Sequence, residues 1–155
     1  MRDAGLRRDV QGSIESSTVS DTPATPQLQV PVELILLRQV ASYLAMPIFL
    51  VGADGDLLYF NESAESLLGL RFDDVGELSM DEWLAAFRPA QEDGSVLEPQ
   101  AVPLVVALRE QRPTHERLTI TGLDGVQRVI EATSFPLRGQ GDRLLGAIAL
   151  FWPVP

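Results

Sequence analysis

The sequence predicts an α+β domain: a five-stranded antiparallel sheet with short helices on one face, preceded by an N-terminal helix. Three observations point there. Turn residues separate apolar runs at Asp54-Gly55, Asp124-Gly125 and Gly139-Gln-Gly141-Asp142, as they do in antiparallel hairpins. Helix-start signals at Asn61, Ser79 and Pro103 cluster between the first hairpin and the last two. Two apolar rows at helical spacing precede the first strand.

Taken in order, residues 1–30 hold no aromatic side chain, and the stretch 12–26 is rich in Ser and Thr with two prolines. Such a composition buries too little to offset its ordering entropy, so a disordered tail is expected. Residues 31–45 read as a flanking helix, with Pro31 suited to a first helical position. Leu34, Leu37, Ala41 and Leu44 form one row, and Leu36, Val40 and Tyr43 another, a stripe wider than one packing partner requires. Leu34, Leu37, Val40, Ala41 and Leu44 are therefore candidates for a dimer interface, against the plainer alternative of a helix lying on its own domain. The domain itself is expected over residues 46–155.

Ile48-Phe-Leu-Val51 and Leu57-Leu-Tyr-Phe60 flank Asp54-Gly55 as a first hairpin. Asn61 then caps a helix that Gly69 is placed to end. Ser79-Met-Asp-Glu82 has capping-box spacing and opens a helix carrying Trp83, Leu84 and Phe87 on one face. Residues 91–99 form a polar loop, and Pro103 starts Leu-Val-Val-Ala-Leu-Arg109, which Pro113 closes. The last third is strand. Leu118 and Ile120 alternate with Arg117, Thr119 and Thr121; a second strand over 126–137 is expected to stop near Pro136; a third covers 144–152.

Composition excludes several chemistries. The chain has 155 residues, a net charge of −10, no Cys and one His, and all 12 of its basic residues are Arg. Without Cys there is no disulfide, thiolate nucleophile or thiolate zinc site; without Lys there is no Schiff base or P-loop lysine. Ser-His-Asp catalysis would have to run through His115. The negative charge opposes binding to nucleic acid or anionic membrane, no apolar run reaches the ~20 residues of a membrane span, and a cytoplasmic location is expected. Asp54, Asp56, Asp73, Asp74, Asp81, Glu82 and Asp93 fall in expected loops and helix starts, where acids cap and solvate. No catalytic residue and no metal site is expected; a carboxylate-dependent enzyme is the alternative of another class.

The order of elements and several segments resemble a PAS domain, a sensory module of bacterial signalling proteins. The segment from Met46 to Asn61, Met-Pro-Ile-Phe-Leu-Val-Gly-Ala-Asp-Gly-Asp-Leu-Leu-Tyr-Phe-Asn, is similar to that family's first hairpin and following Asn. The segment ending Leu68-Gly69 is similar to its next helix, and Pro103-Leu-Val-Val-Ala-Leu-Arg109 to its central helix. Asp124-Gly125 with Arg128, Phe135-Pro-Leu137 and Leu145-Gly-Ala147 is similar to its final strands. The resemblance implies a sensory or protein-interaction module without catalytic activity, dimerising through the helix before the first strand and passing a signal to an unidentified partner. It also implies a pocket between the helices and the inner sheet face.

Candidates for lining that pocket are Phe49, Tyr59, Leu68, Leu84, Leu104, Leu108, Ile130, Ala132 and Ala147. They would hold a small apolar molecule or simply fill the core. Arg117 and Arg128, on adjacent strands, are the candidates for a carboxylate ligand, against the alternative that they pair with Glu116 or Glu131. No cofactor is expected. Lack of Cys excludes flavin–cysteine photochemistry and a thioester-linked chromophore; haem would have only His115, outside the central helix; non-covalent flavin would need Trp83 and Phe87, whose spacing suits a core. Many PAS domains close on an Asp-Ile-Thr-like triplet that starts an output helix. This chain reads Phe151-Trp-Pro-Val-Pro155 instead, so it is either a fragment cut at the domain edge or, as its Pro-rich end favours, a stand-alone module.

Overall fold

The computed structural model describes residues 30–155, so the tail expected over residues 1–30 lies, except for Val30, outside the described residues. Helix α1, Val32–Tyr43, starts behind Pro31 and ends where Leu44 turns extended. Strands β1, Ile48–Gly52, and β2, Leu57–Phe60, are joined by the expected turn, in which the Gly55 N–H donates to the Gly52 carbonyl at 3.0 Å. Helix α2, Glu62–Leu68, is capped by Asn61, whose side chain accepts from the Ala64 N–H at 3.2 Å. It ends on Gly69 at φ 71°, a left-handed conformation that suits glycine.

A short helix α3, Phe72–Val75, follows; four residues are too few to announce themselves by periodicity. Helix α4, Met80–Phe87, opens on the expected capping box: the Glu82 N–H donates to Ser79 Oγ at 3.3 Å, and the Ser79 N–H to Glu82 Oε2 at 2.7 Å. The polar loop contains a single 3₁₀ turn, Pro99–Ala101, before helix α5, Pro103–Glu110. Strands β3, Thr114–Thr121, β4, Gln127–Arg138, and β5, Leu144–Pro153, complete the chain.

The five strands form one antiparallel sheet in the order β2-β1-β5-β4-β3. First and last strands meet at its centre, so β1 and β5 connect everything else. Their closest approach requires glycine at 146, where a Cβ would overlap the Val51 carbonyl. Strand β4 runs past Pro136, where the sequence suggested a stop. The pairing with β3 ends at Thr114↔Ser134, while β5 continues to Arg138↔Leu144. Beyond Ser134 the strand therefore has a partner on one side only, and a residue lacking an N–H is tolerated there.

Period-two alternation sorts the side chains onto two faces. Phe49, Phe60, Leu118, Ile120, Ile130, Ala132, Ala149 and Phe151 face α2–α5 and form the main core with Trp83, Phe87, Leu104 and Leu108. On the opposite face Leu34 of α1 packs on Leu50 and Leu145, and Ala41 on Ile48 and Ile148. Among the described residues no helix is long and apolar enough to cross a membrane.

Candidate functional site: an apolar cavity and an open helix face

The inner face of the sheet is uneven. Ala132 and Ser134 on β4 and Ala149 on β5 are small, whereas the groups facing them are Phe49, Phe87, Trp83 and Phe151. The aromatics brace one another, with Phe49 at 4.9 Å from Phe151 and 5.4 Å from Phe87 between ring centroids. They do not all reach the short side chains, and a cavity of about 50 Å³ remains, lined also by Val102, Leu104, Leu118, Ile120 and Ile130 among others. Trp83 is fixed by its indole N–H, which donates to the Gly55 carbonyl at 3.0 Å and ties α4 to the first hairpin.

Of the residues expected to line a pocket, Phe49, Leu104, Ile130 and Ala132 line this cavity. Leu68, Leu108 and Ala147 are buried in the same core but outside it, and Leu84 is half-buried beside a surface groove. Tyr59 is a correction. The register Leu50↔Tyr59 puts it on the α1 side of the sheet, where its ring meets Phe72 at 5.3 Å and lies under the Arg38 guanidinium at 4.7 Å. Burial pushes the Tyr59 phenol above its ordinary pKa, with Arg38 pulling the other way.

Ser134 was missed. A serine in a strand reads as surface, yet it occupies the inward period set by Ile130 and Ala132, and it is fully buried. Among the described residues its Oγ is the one buried side-chain polar atom with no hydrogen-bond partner.

The two arginines do not form an anion site. Arg117 is held by Glu131 at 3.1 Å and Glu92 at 3.2 Å; Arg128 is held by Asp124 at 2.8 Å. This pairing holds Asp124 below its ordinary carboxylate range, and both guanidinium charges are neutralised in place. His115 sits on β3 with its side chain exposed, its Nδ1 2.8 Å from Thr133 Oγ1 and its ring 6.0 Å from that of Trp152. It does not line the cavity, so it offers no ligand to a haem there. Nor do the residues present fit a flavin: Trp83 and Phe87 are packed in the core, and a cavity of about 50 Å³ is far below the ~300 Å³ at which small-molecule pockets begin. Asp73 and Asp74 are exposed in the first turn of α3, and among the described residues no three His, Asp or Glu groups gather as metal ligands would.

Helix α1 corrects the dimer-face expectation. Leu34 and Ala41 are buried on the chain's own sheet and so are not open to a partner, with the partly buried Leu37 packed beside Leu34. Leu44 is partly open, and Val40 belongs to the second row, which stays open. Val32, Ile35, Leu36 and Val40 are each more than half exposed, and Tyr43 is 80% exposed. Among the described residues nothing covers this row.

Asn61 connects the two faces. Its side-chain oxygen accepts from the Ile48 and Ala64 N–H groups, and its amide donates to the carbonyls of Ala41, Leu44 and Met46 at 2.8–3.2 Å. One fully buried side chain thus holds the exit of α1, the start of β1 and the start of α2.

A helix-covered antiparallel sheet in 2-1-5-4-3 order, with an internal cavity on one face and a flanking helix on the other, defines a sensor-type α+β domain. The sequence matches the family model described as the PAS fold over residues 43–154, and the chain belongs to that family of sensory and signalling modules. Solved structures agree on the fold. The PAS domain of BvgS from Bordetella pertussis aligns at a TM-score of 0.59 with 19% identity, over 80% of this chain and 88% of that one. The PAS domain of nitrogen regulation protein NR(II) from Vibrio parahaemolyticus aligns at 0.55 with 14% identity, over 77% and 98%. A light-oxygen-voltage protein from Rhodobacter sphaeroides aligns at 0.61 with 12% identity, over 80% and 68%. No curated protein matches the sequence.

Proposed function

We propose that the protein is a cytoplasmic PAS signalling module that works by contact rather than catalysis, pairing with a second copy of itself through the open row of α1 and engaging a downstream signalling protein as that dimer. The observation that carries this reading is the uncovered row Val32, Ile35, Leu36, Val40 and Tyr43. Monomers rarely leave a contiguous apolar patch of more than a few hundred Å² open, and with Leu44 this stripe holds six exposed apolar side chains. A second copy suits it because a two-fold axis brings the same uncharged row against itself. The non-catalytic reading is supported by the cavity's content, where the one chemically reactive side chain is the Ser134 hydroxyl, with no titratable group beside it.

Sedimentation equilibrium tests the reading. The wild type is expected to be dimeric at micromolar concentration, and Leu36→Glu/Val40→Glu monomeric but folded, with the circular-dichroism spectrum of the wild type. A monomeric wild type, or a variant that stays dimeric, overturns it.

A further inference from the structure

Helix α1 carries two apolar rows, Leu34, Leu37 and Ala41 against Leu36, Val40 and Tyr43. At 100° per residue their centres lie about 120° apart around the helix. The sheet takes the first row and leaves the second open. Apolar burial alone does not make that choice, because a leucine heads each row and burying either removes a similar area from water. At the C-terminal end, Asn61 holds the carbonyls of Ala41, Leu44 and Met46, and the small side chain of Ala41 suits a close approach to Ile48 and Ile148. Both devices act at the exit of the helix, and its middle needs one of its own.

Arg38 is the one basic residue of α1 and stands at that middle. Its guanidinium carbon lies 4.7 Å from the Tyr59 ring centre and 5.2 Å from that of Phe72, both inside the ~6 Å at which a ring face attracts a cation. Tyr59 belongs to the edge strand β2 and Phe72 to α3, so the contact reaches round the edge of the sheet to the layer of helices. Phe72 is buried and held in turn by Phe60 at 5.2 Å. Among the described residues Arg38 makes no ion pair, and the two rings are its partners. The contact is also specific to the observed rotation. Turning α1 by about 120° to lay the second row on the sheet carries Arg38 to roughly the far side of the helix, away from both rings.

We propose that Arg38 is the positioning residue that selects the row. Its contact with Tyr59 and Phe72 sets the rotation of α1 and so decides that Leu36, Val40 and Tyr43 are the face offered to a second copy. That last step rests on the pairing reading; the selection of the row does not, because it is read on the monomer.

Thiol labelling of the full, otherwise Cys-free chain tests it, with Leu37→Cys or Val40→Cys as the single reactive site. It is run at a dilution where sedimentation shows a monomer, so that pairing does not shield position 40. With Arg38 present, position 40 should label much faster than position 37, as their exposure dictates. Arg38→Gln keeps a polar chain but no charge. It should lower the ratio of the two rates about tenfold, the value of the two ring contacts, with position 37 speeding up and position 40 slowing down. Arg38→Lys keeps the cation and should hold the ratio within about threefold of wild type. Arg38 is exposed, so each variant should keep the wild-type circular-dichroism spectrum. Three outcomes overturn the proposal: an unchanged ratio in Arg38→Gln; faster labelling at 37 without slowing at 40, which means a detached helix rather than a change of row; or Arg38→Lys as far from wild type as Arg38→Gln. A chain that fails to pair in sedimentation overturns the pairing reading and leaves these rates to decide the role of Arg38.

Discussion

The two faces of the sheet are built from the same alternating strands but are finished differently. The inner face is covered by four helices and packed around Phe49, Phe87 and Phe151, leaving only a cavity of about 50 Å³. Among the described residues the outer face is covered by one helix, which packs Leu34, Leu37 and Ala41 on the sheet and leaves a second apolar row open. The difference separates the residues that hold the fold from those left over. Residues that hold the fold together are buried between layers, whereas among the described residues the second row of α1 has no layer above it and the Ser134 hydroxyl has no partner.

Substitutions on the two faces should separate these roles. Phe87→Ala empties the centre of the inner core, where Phe87 is 1% exposed, and should cost about 3–5 kcal/mol in denaturant unfolding. Asn61→Asp keeps the acceptor that caps α2 but removes the donors to Ala41, Leu44 and Met46. It should cost about 2–3 kcal/mol and raise amide exchange at the end of α1 more than in β4. An even loss of protection would mean that Asn61 does not join the two faces. Val40→Glu on the open row, measured at a dilution where the chain is monomeric, should change stability by no more than about 0.5 kcal/mol, as exposed substitutions do. A large loss would show that row to be covered within the monomer.

The smallest effect is electrostatic. Asp124 is held below its ordinary range by Arg128, so its contribution is present above the ordinary carboxylate pKa and fades as pH falls through its lower folded value. The melting-temperature gap between wild type and Asp124→Asn should be open at neutral pH and closed well below pH ~3.9. A gap that does not change with pH contradicts the pairing.

Much of the fold was legible because its punctuation is local. Asp54-Gly55, the Asn61 cap, the Ser79/Glu82 capping box and the Pro103 start all act within a few residues, and each sits where it was expected. What escaped depends on register and on neighbours distant in sequence. Tyr59 reads as inward until its pairing with Leu50 is known, and Pro136 reads as a strand end until β3 is seen to give out first. The two rows of α1 were visible, but which one the sheet would take was not, since Leu34 and Leu36 are equally apolar. Ser134 shows the reverse: the inward period of Ile130 and Ala132 already contained it, yet a serine carries no apolar signal to mark it as buried.

The division of labour between the two faces is tested most directly by spin labels, which the Cys-free chain accepts one site at a time. Label is placed through Val40→Cys on the open row or through Val96→Cys, a more solvent-facing site in the loop after α4. The account predicts a short distance between labels on two chains at position 40, lost on dilution with unlabelled protein, and a longer one at position 96. No intermolecular coupling at position 40, or a shorter distance at position 96, would contradict it.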